Sequence, residues 1–237
     1  MSDFFQQVGG YIGQLVRQTI AVAIKDLHIE LRSPVRLIGV FFFALALLLM
    51  SAVSSGTSIV MSQIAGGTLW LGVLLTSTRS LDQSFAIEKD EDALEEMVLW
   101  PTEPAAIYYG KAVANTVVLL IVVTALTPLV IAIFDAPVRG DLLQFVLILA
   151  LGCAALAAPG TLYAAIASHA RGSSVLLPLL MFPLVIPALM AASIGTTAIM
   201  DGDPMNQASI WLRILIGFNV IHWLLSGVLF RFVVEEA

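Results

Sequence analysis

Apolar residues recur at helical spacing from Phe4 to Leu31, at Phe5, Val8, Ile12, Leu15, Val16, Ile20, Ala23 and Leu27. Gln7, Gln14, Gln18 and Lys25 fall on the opposite side. This spacing predicts an amphipathic helix with one apolar stripe. Gly9, Gly10 and Gly13 weaken its first turns. Past Leu37 the pattern changes to nearly unbroken apolar runs, each near the roughly 20 residues that a membrane-crossing helix needs. Six such runs follow: Leu37 to Ser55, Ile59 to Thr78, Ala112 to Phe134, Leu142 to Ser168, Val175 to Met200 and Ile210 to Phe230. The first two are joined only by a few residues around Gly56, which predicts a tight hairpin. An even number of spans puts both ends of the chain on one side. The amphipathic helix is then expected to lie flat at the interface on that side.

One segment interrupts the apolar pattern. Arg79 to Trp100, RSLDQSFAIEKDEDALEEMVLW, is acidic and helix-patterned. Ser84 is placed to cap a helix start. Pro101 and Pro104 cannot continue a helix, so the pattern predicts a stop near Trp100. Leu94, Met97 and Val98 share one face, while Glu88, Glu91, Asp92, Glu95 and Glu96 fill much of the rest. A short amphipathic helix with a carboxylate-rich face suits a groove on a partner in water. The plainer reading is a solvated helix against the headgroups, which anionic lipids would oppose.

Composition agrees with lipid as the solvent. The chain of 237 residues is 59% hydrophobic and only 12% charged, and its mean hydropathy is +0.97. Soluble domains carry about 25% charged residues. A net charge of -6 excludes the basic face that nucleic acid requires. One cysteine, Cys153, leaves no disulfide framework or multi-cysteine metal site within the chain. The start MSDFFQQVGG lacks the features of a cleaved signal.

Charge also predicts the orientation. Of the 11 Lys and Arg, nine fall on one side: Arg17, Lys25, Arg32, Arg36, Arg79, Lys89, Lys111, Arg171 and Arg231. Arg139 and Arg213 fall on the other. Positive residues in short loops remain in the cytoplasm. Both termini, residues 79–111 and the HARGS turn are therefore expected there. The opposite loops are short and acidic at Asp135, Asp141, Asp201 and Asp203.

Within the spans, prolines are frequent: Pro128, Pro159, Pro178, Pro183 and Pro187. Each removes a backbone donor. Pro159, Pro183 and Pro187 are candidate bends, and MFPLVIPAL a candidate flexible or re-entrant element, with static kinks as the alternative. Ionisable residues in the spans are scarce, which leaves no carboxylate relay for a proton-driven carrier. Asn219 and His222 form the main polar pair and are candidates to face a ligand. His222 can ligate a metal or haem iron, although such a residue more often bonds to a neighbouring helix. His28 and His169 are expected to be solvated. No phosphate-binding loop, HExxH or Ser-His-Asp pattern is present. The chain therefore reads as a non-catalytic subunit.

Three stretches carry a resemblance: LDQSFAIEKDEDALEEMVLWPTEPAAIYYGKAVAN, with Phe85, Leu94, Glu95, Pro101 and Lys111; AAPG at Ala157 to Gly160 with the basic turn at Arg171; and LLPLLMFPLVIPAL. The sequence resembles the CcmB family, the permease subunit of the cytochrome c maturation ABC transporter or haem exporter. Asp92 replaces a glycine usual in that family, and the N-terminal extension is longer. The resemblance implies an all-α, ABC-2 type permease of the bacterial inner membrane, a homodimer paired with a separate CcmA-like ATPase that holds the ATP. CcmC-like and CcmD-like proteins would be companions, haem the cargo, and release of the haem-loaded chaperone CcmE the linked step. No resident cofactor is implied. On this reading Phe85, Glu88, Glu91, Leu94, Glu95, Glu96, Met97, Trp100 and Arg171 couple to the ATPase. The organisation expected is an interfacial helix over 1–36, a six-span domain over 37–231 and a tail over 232–237. A general ABC-2 exporter of lipid, drug or glycan, and an assembly scaffold without a translocation path, are the alternatives.

Overall fold

The computed structural model describes residues 2–32, 34–55, 58–90, 103–169 and 176–235. Among these, seven helices follow one another: α1 (Ser2–Leu31), α2 (Pro34–Ser55), α3 (Ser58–Asp90), α4 (Pro104–Phe134), α5 (Leu142–His169), α6 (Leu176–Met200) and α7 (Gln207–Glu235). The described residues contain no strand. The protein is an all-α, multi-span membrane protein. Among the described residues, five stretches are long and apolar enough to cross a bilayer: Val60–Leu81, Pro104–Phe134, Leu142–Ser168, Leu177–Met200 and Gln207–Val233. The expected first span is α2, a helix of 22 residues whose described apolar stretch is the shorter Phe41–Ser54.

Helix α5 is central and touches α3, α4, α6 and α7. Its sequence explains this position. Gly152, Cys153, Ala155, Ala157, Ala158, Gly160, Ala164 and Ala165 are all buried. Small side chains let membrane helices approach closely. Trp70 of α3 lies against Gly152, and a Cβ there would collide with its indole ring. Gly160 likewise receives Leu81 of α3 and lies near Met181 of α6. Gly66 of α3 faces the α6 backbone, where a Cβ would stand 2.8 Å from the Ser193 carbonyl oxygen.

Polar side chains fasten the same helices. Trp70 Nε1 donates to Thr196 Oγ1 at 3.0 Å, joining α3 to α6. Asn115 Nδ2 donates to Thr161 Oγ1 at 3.0 Å, and Tyr108 Oη donates to the Ala158 carbonyl at 3.1 Å, both joining α4 to α5. Arg79 lies over the Phe43 ring at 5.3 Å, joining α3 to α2.

At one end of the bundle lie the links 135–141 and 201–206, and Gly140 N–H of the first donates to the Ile199 carbonyl at the end of α6 at 2.8 Å. Asp141 and Asp203 point their carboxylates at the backbone N–H groups that open α5 and α7, which favours both helix starts. Asp135 closes α4 in the left-handed region at φ 48°.

Two element boundaries differ from the sequence pattern. The second span was expected to stop near Thr78 and a new helix to begin at Ser84. Instead α3 runs unbroken through Ser84 to Asp90, 33 residues in all. No glycine or proline lies between Thr78 and Asp90, so nothing halts the helix where hydropathy falls. The next helix starts at Pro104 rather than Ala112. Proline suits a first helical position, where the missing N–H has no partner to lose. The proline-rich stretch of α6 is likewise helical from Leu176 to Met200 rather than re-entrant. Pro128 and Pro159 lie inside continuous helices too.

Candidate functional site

The acidic segment leads into α4, and the site begins at Glu103, the residue before that helix. Its backbone N–H lies 3.5 Å from Gln18 Oε1 of α1. Two turns on, Lys111 is 1% exposed and its Nζ donates to Asp26 Oδ2 at 3.1 Å, with Asp26 only 12% exposed. Lys25 pairs with the other carboxylate oxygen at 3.3 Å. Between these contacts Gly110 meets α1 directly. A Cβ there would fall 2.6 Å from Val22 Cβ and 2.9 Å from the Thr19 carbonyl oxygen. Helix α1 thus packs mainly on α4 and barely touches α2.

This seat redraws the amphipathic pattern of α1. Its contacts to α4 include Gln18, Thr19, Val22 and Asp26, a mixed stripe along one edge of the predicted apolar one. Val16, Ile20, Ile24 and Leu31 lie on another side and stay about half exposed. Gln14 and Arg17 lie on a third side and, with Gly13 and Gln18, line a cavity of about 500 Å³. At 100° per residue these three groups occupy separate sectors of one helix.

The second polar cluster is on α7. Asn219 is buried and donates from Nδ2 to the Leu151 carbonyl of α5 and the Leu215 carbonyl of its own helix, each at 2.9 Å. Its Oδ1 accepts from Trp223 Nε1 at 3.1 Å. Trp223 also reaches the Ala154 carbonyl at 3.3 Å and stacks on Tyr109 of α4 at 6.2 Å. His222 is half-buried; its Nδ1 bonds to the Phe218 carbonyl at 2.9 Å and its ring stacks on Phe218 at 3.8 Å. Asn219 therefore ties α7 to α5, while the polar contact of His222 stays within its own helix. Replacing Asn219 by leucine removes one interhelical bond and one acceptor. The expected cost is about 0.6–1.7 kcal/mol, read as an earlier midpoint in detergent unfolding.

The sequence-derived coupling residues divide in two. Phe85 and Glu88 lie on the last turns of α3. Glu91, Leu94, Glu95, Glu96, Met97, Trp100 and Arg171 lie outside the described residues. Pro159 lies in α5, and Pro183 and Pro187 lie one turn apart in α6. Asp26 was not singled out from the sequence, and Gln18 was read only as part of the polar side of α1. Asp26 carried one signal: its register beside Val22 and Ala23, toward the apolar half of α1. The described residues contain no group of three or more His, Cys, Asp or Glu placed to hold a metal ion.

Comparison with known proteins adds a family. The model described as "CcmB protein" matches residues 17–235. The chain is 33% identical over 206 residues to Heme exporter protein B of Paracoccus denitrificans, covering 78% of this chain and 86% of that one. It is 30% identical over 171 residues to the same-named protein of Rhodobacter capsulatus, covering 72% and 78%. The corresponding figures for that of Pseudomonas aeruginosa are 26% over 192 residues, 81% and 86%.

Proposed function

Because this chain belongs to the CcmB family, we propose that it is the membrane-embedded permease subunit of a haem exporter acting in cytochrome c maturation, driven by a separate cytosolic ATPase. The observation that carries this reading is the family match over residues 17–235, nearly the whole bundle. The chain is a transporter subunit with no phosphate-binding loop of its own, so the work has to come from another chain. Two copies of each subunit would form the transporter, in the inner membrane with both termini cytoplasmic. CcmC-like and CcmD-like proteins would accompany it. Haem is the cargo, or the haem-loaded chaperone is what the cycle releases.

The ATPase acts through residues 79–111 and the turn at Arg171. Glu91, Glu95 and Glu96 meet its basic residues, and Leu94, Met97 and Trp100 fill its groove. Phe85 and Glu88 continue α3, so a push on the segment is delivered to the core through α3 on one side and α4 on the other. The membrane helices then shift as rigid bodies, with bends at Pro159, Pro183 and Pro187. Asn219 and His222 face the cargo path in this scheme.

Met97→Asp tests the docking step. A buried apolar anchor commonly carries 2 kcal/mol or more of an interface, by the usual order of magnitude. The mutant is expected to insert in the membrane normally and to lose co-purification with the ATPase. Undiminished co-purification would remove Met97 from the docking surface.

A further inference from the structure

The contacts that seat α1 on α4 fall along one stripe at helical spacing: Gln18 on Glu103, Thr19 and Val22 on Gly110, and Asp26 on Lys111. Glu103 precedes α4 and Gly110 and Lys111 lie in its second turn, at the end of the segment assigned to the ATPase. The ion pair is buried as well, with Lys111 1% exposed and Asp26 12%. A charge buried that far is held only while its partner stays in place. At Gly110 the helices touch with no room for a side chain, so α1 cannot slide along α4 without lifting off.

We propose that Asp26 and Lys111 are positioning residues of the coupling machinery: they fasten α1 to the start of α4, so that a push arriving through residues 91–102 moves both helices as one body. The pair contacts no cargo and hydrolyses nothing. Its task is to extend the moving unit from the bundle to the amphipathic helix, whose side at Val16, Ile20 and Ile24 is uncovered. This rests on the reading that a cytosolic ATPase drives the chain.

A covalent tether separates this role from simple stabilisation. Gln18→Cys with Glu103→Cys can be bridged in native membranes by a short bis-maleimide, and Cys153 is fully buried and stays unreacted. If the helices move together, the bridged protein keeps the c-type cytochrome content of the unbridged Cys pair. Asp26→Leu takes the 3.1 Å carboxylate away from buried Lys111 and is expected to shift the docked-to-undocked ratio on the order of 100-fold, lowering both bridging yield and cytochrome content. Lys111→Met leaves Asp26 paired with Lys25 and serves as the milder variant. A bridge formed before function is assayed restores cytochrome content in either variant. An inactive bridged protein would overturn the proposal, since α1 would then have to leave α4 during the cycle. Unchanged cytochrome content in both variants, or no rescue by the bridge, would overturn it as well. The bridging yield reads the latch without any ATPase. Absence of an ATPase from the unmutated complex would instead defeat the functional reading beneath it.

Discussion

Asp26→Leu is expected to destabilise the folded chain by about 3–5 kcal/mol, the usual cost of removing one partner from a buried ion pair. The magnitude follows from where the charges sit. Lys111 is 1% exposed and the Asp26 carboxylate lies 3.1 Å from its Nζ. Leucine leaves the ammonium in the helix interface without this carboxylate. Changing both residues, Asp26→Leu with Lys111→Met, removes the buried ammonium as well and leaves apolar groups of similar size. Such replacements are often neutral or favourable, so the double variant is expected to recover most of the loss. Unfolding of the single and double variants in mixed micelles measures the difference. A single variant as stable as the parent would mean that Lys111 finds compensation elsewhere.

Trp70→Ala is the second large effect, at about 3–5 kcal/mol. Trp70 is 1% exposed and fills the space left by Gly152 on the central helix. Alanine removes nearly the whole indole and leaves a cavity between α3 and α5. It also deprives Thr196 Oγ1 of its 3.0 Å donor. Trp70→Phe keeps most of the ring volume and loses the N–H, so a clearly smaller cost is expected. Equal losses for the two variants would show that the hydrogen bond, rather than the packing, dominates. The same unfolding assay separates them.

The two sites show what could be read before the structure. The helical layout follows from hydropathy, because each span is a run of apolar residues that only lipid can accept. The amphipathic start was visible for the same reason. What stayed hidden depends on residues far apart in the chain. Lys111 looked like a cytoplasmic charge flanking a span, and only the return of α1 across α4 makes it buried. Trp70 and Gly152 are unremarkable singly; their fit exists only once α3 and α5 are packed. The length of α3 was misjudged at Ser84, a good capping residue that the helix simply runs past. A cap signal acts only where the helix has another reason to stop, and here neither glycine nor proline supplies one. Asn219 was legible as a polar residue needing a partner, but its partners, the Leu151 carbonyl and Trp223, were not.

The proposed coupling turns on a motor held by another chain. Purification of the native complex from membranes in mild detergent, with its components identified by mass, tests this most directly. A nucleotide-hydrolysing subunit together with haem-handling membrane proteins is the expected composition, and Met97→Asp should strip the ATPase while leaving the membrane components. A complex that supports cytochrome c maturation yet contains no nucleotide-hydrolysing subunit would contradict it.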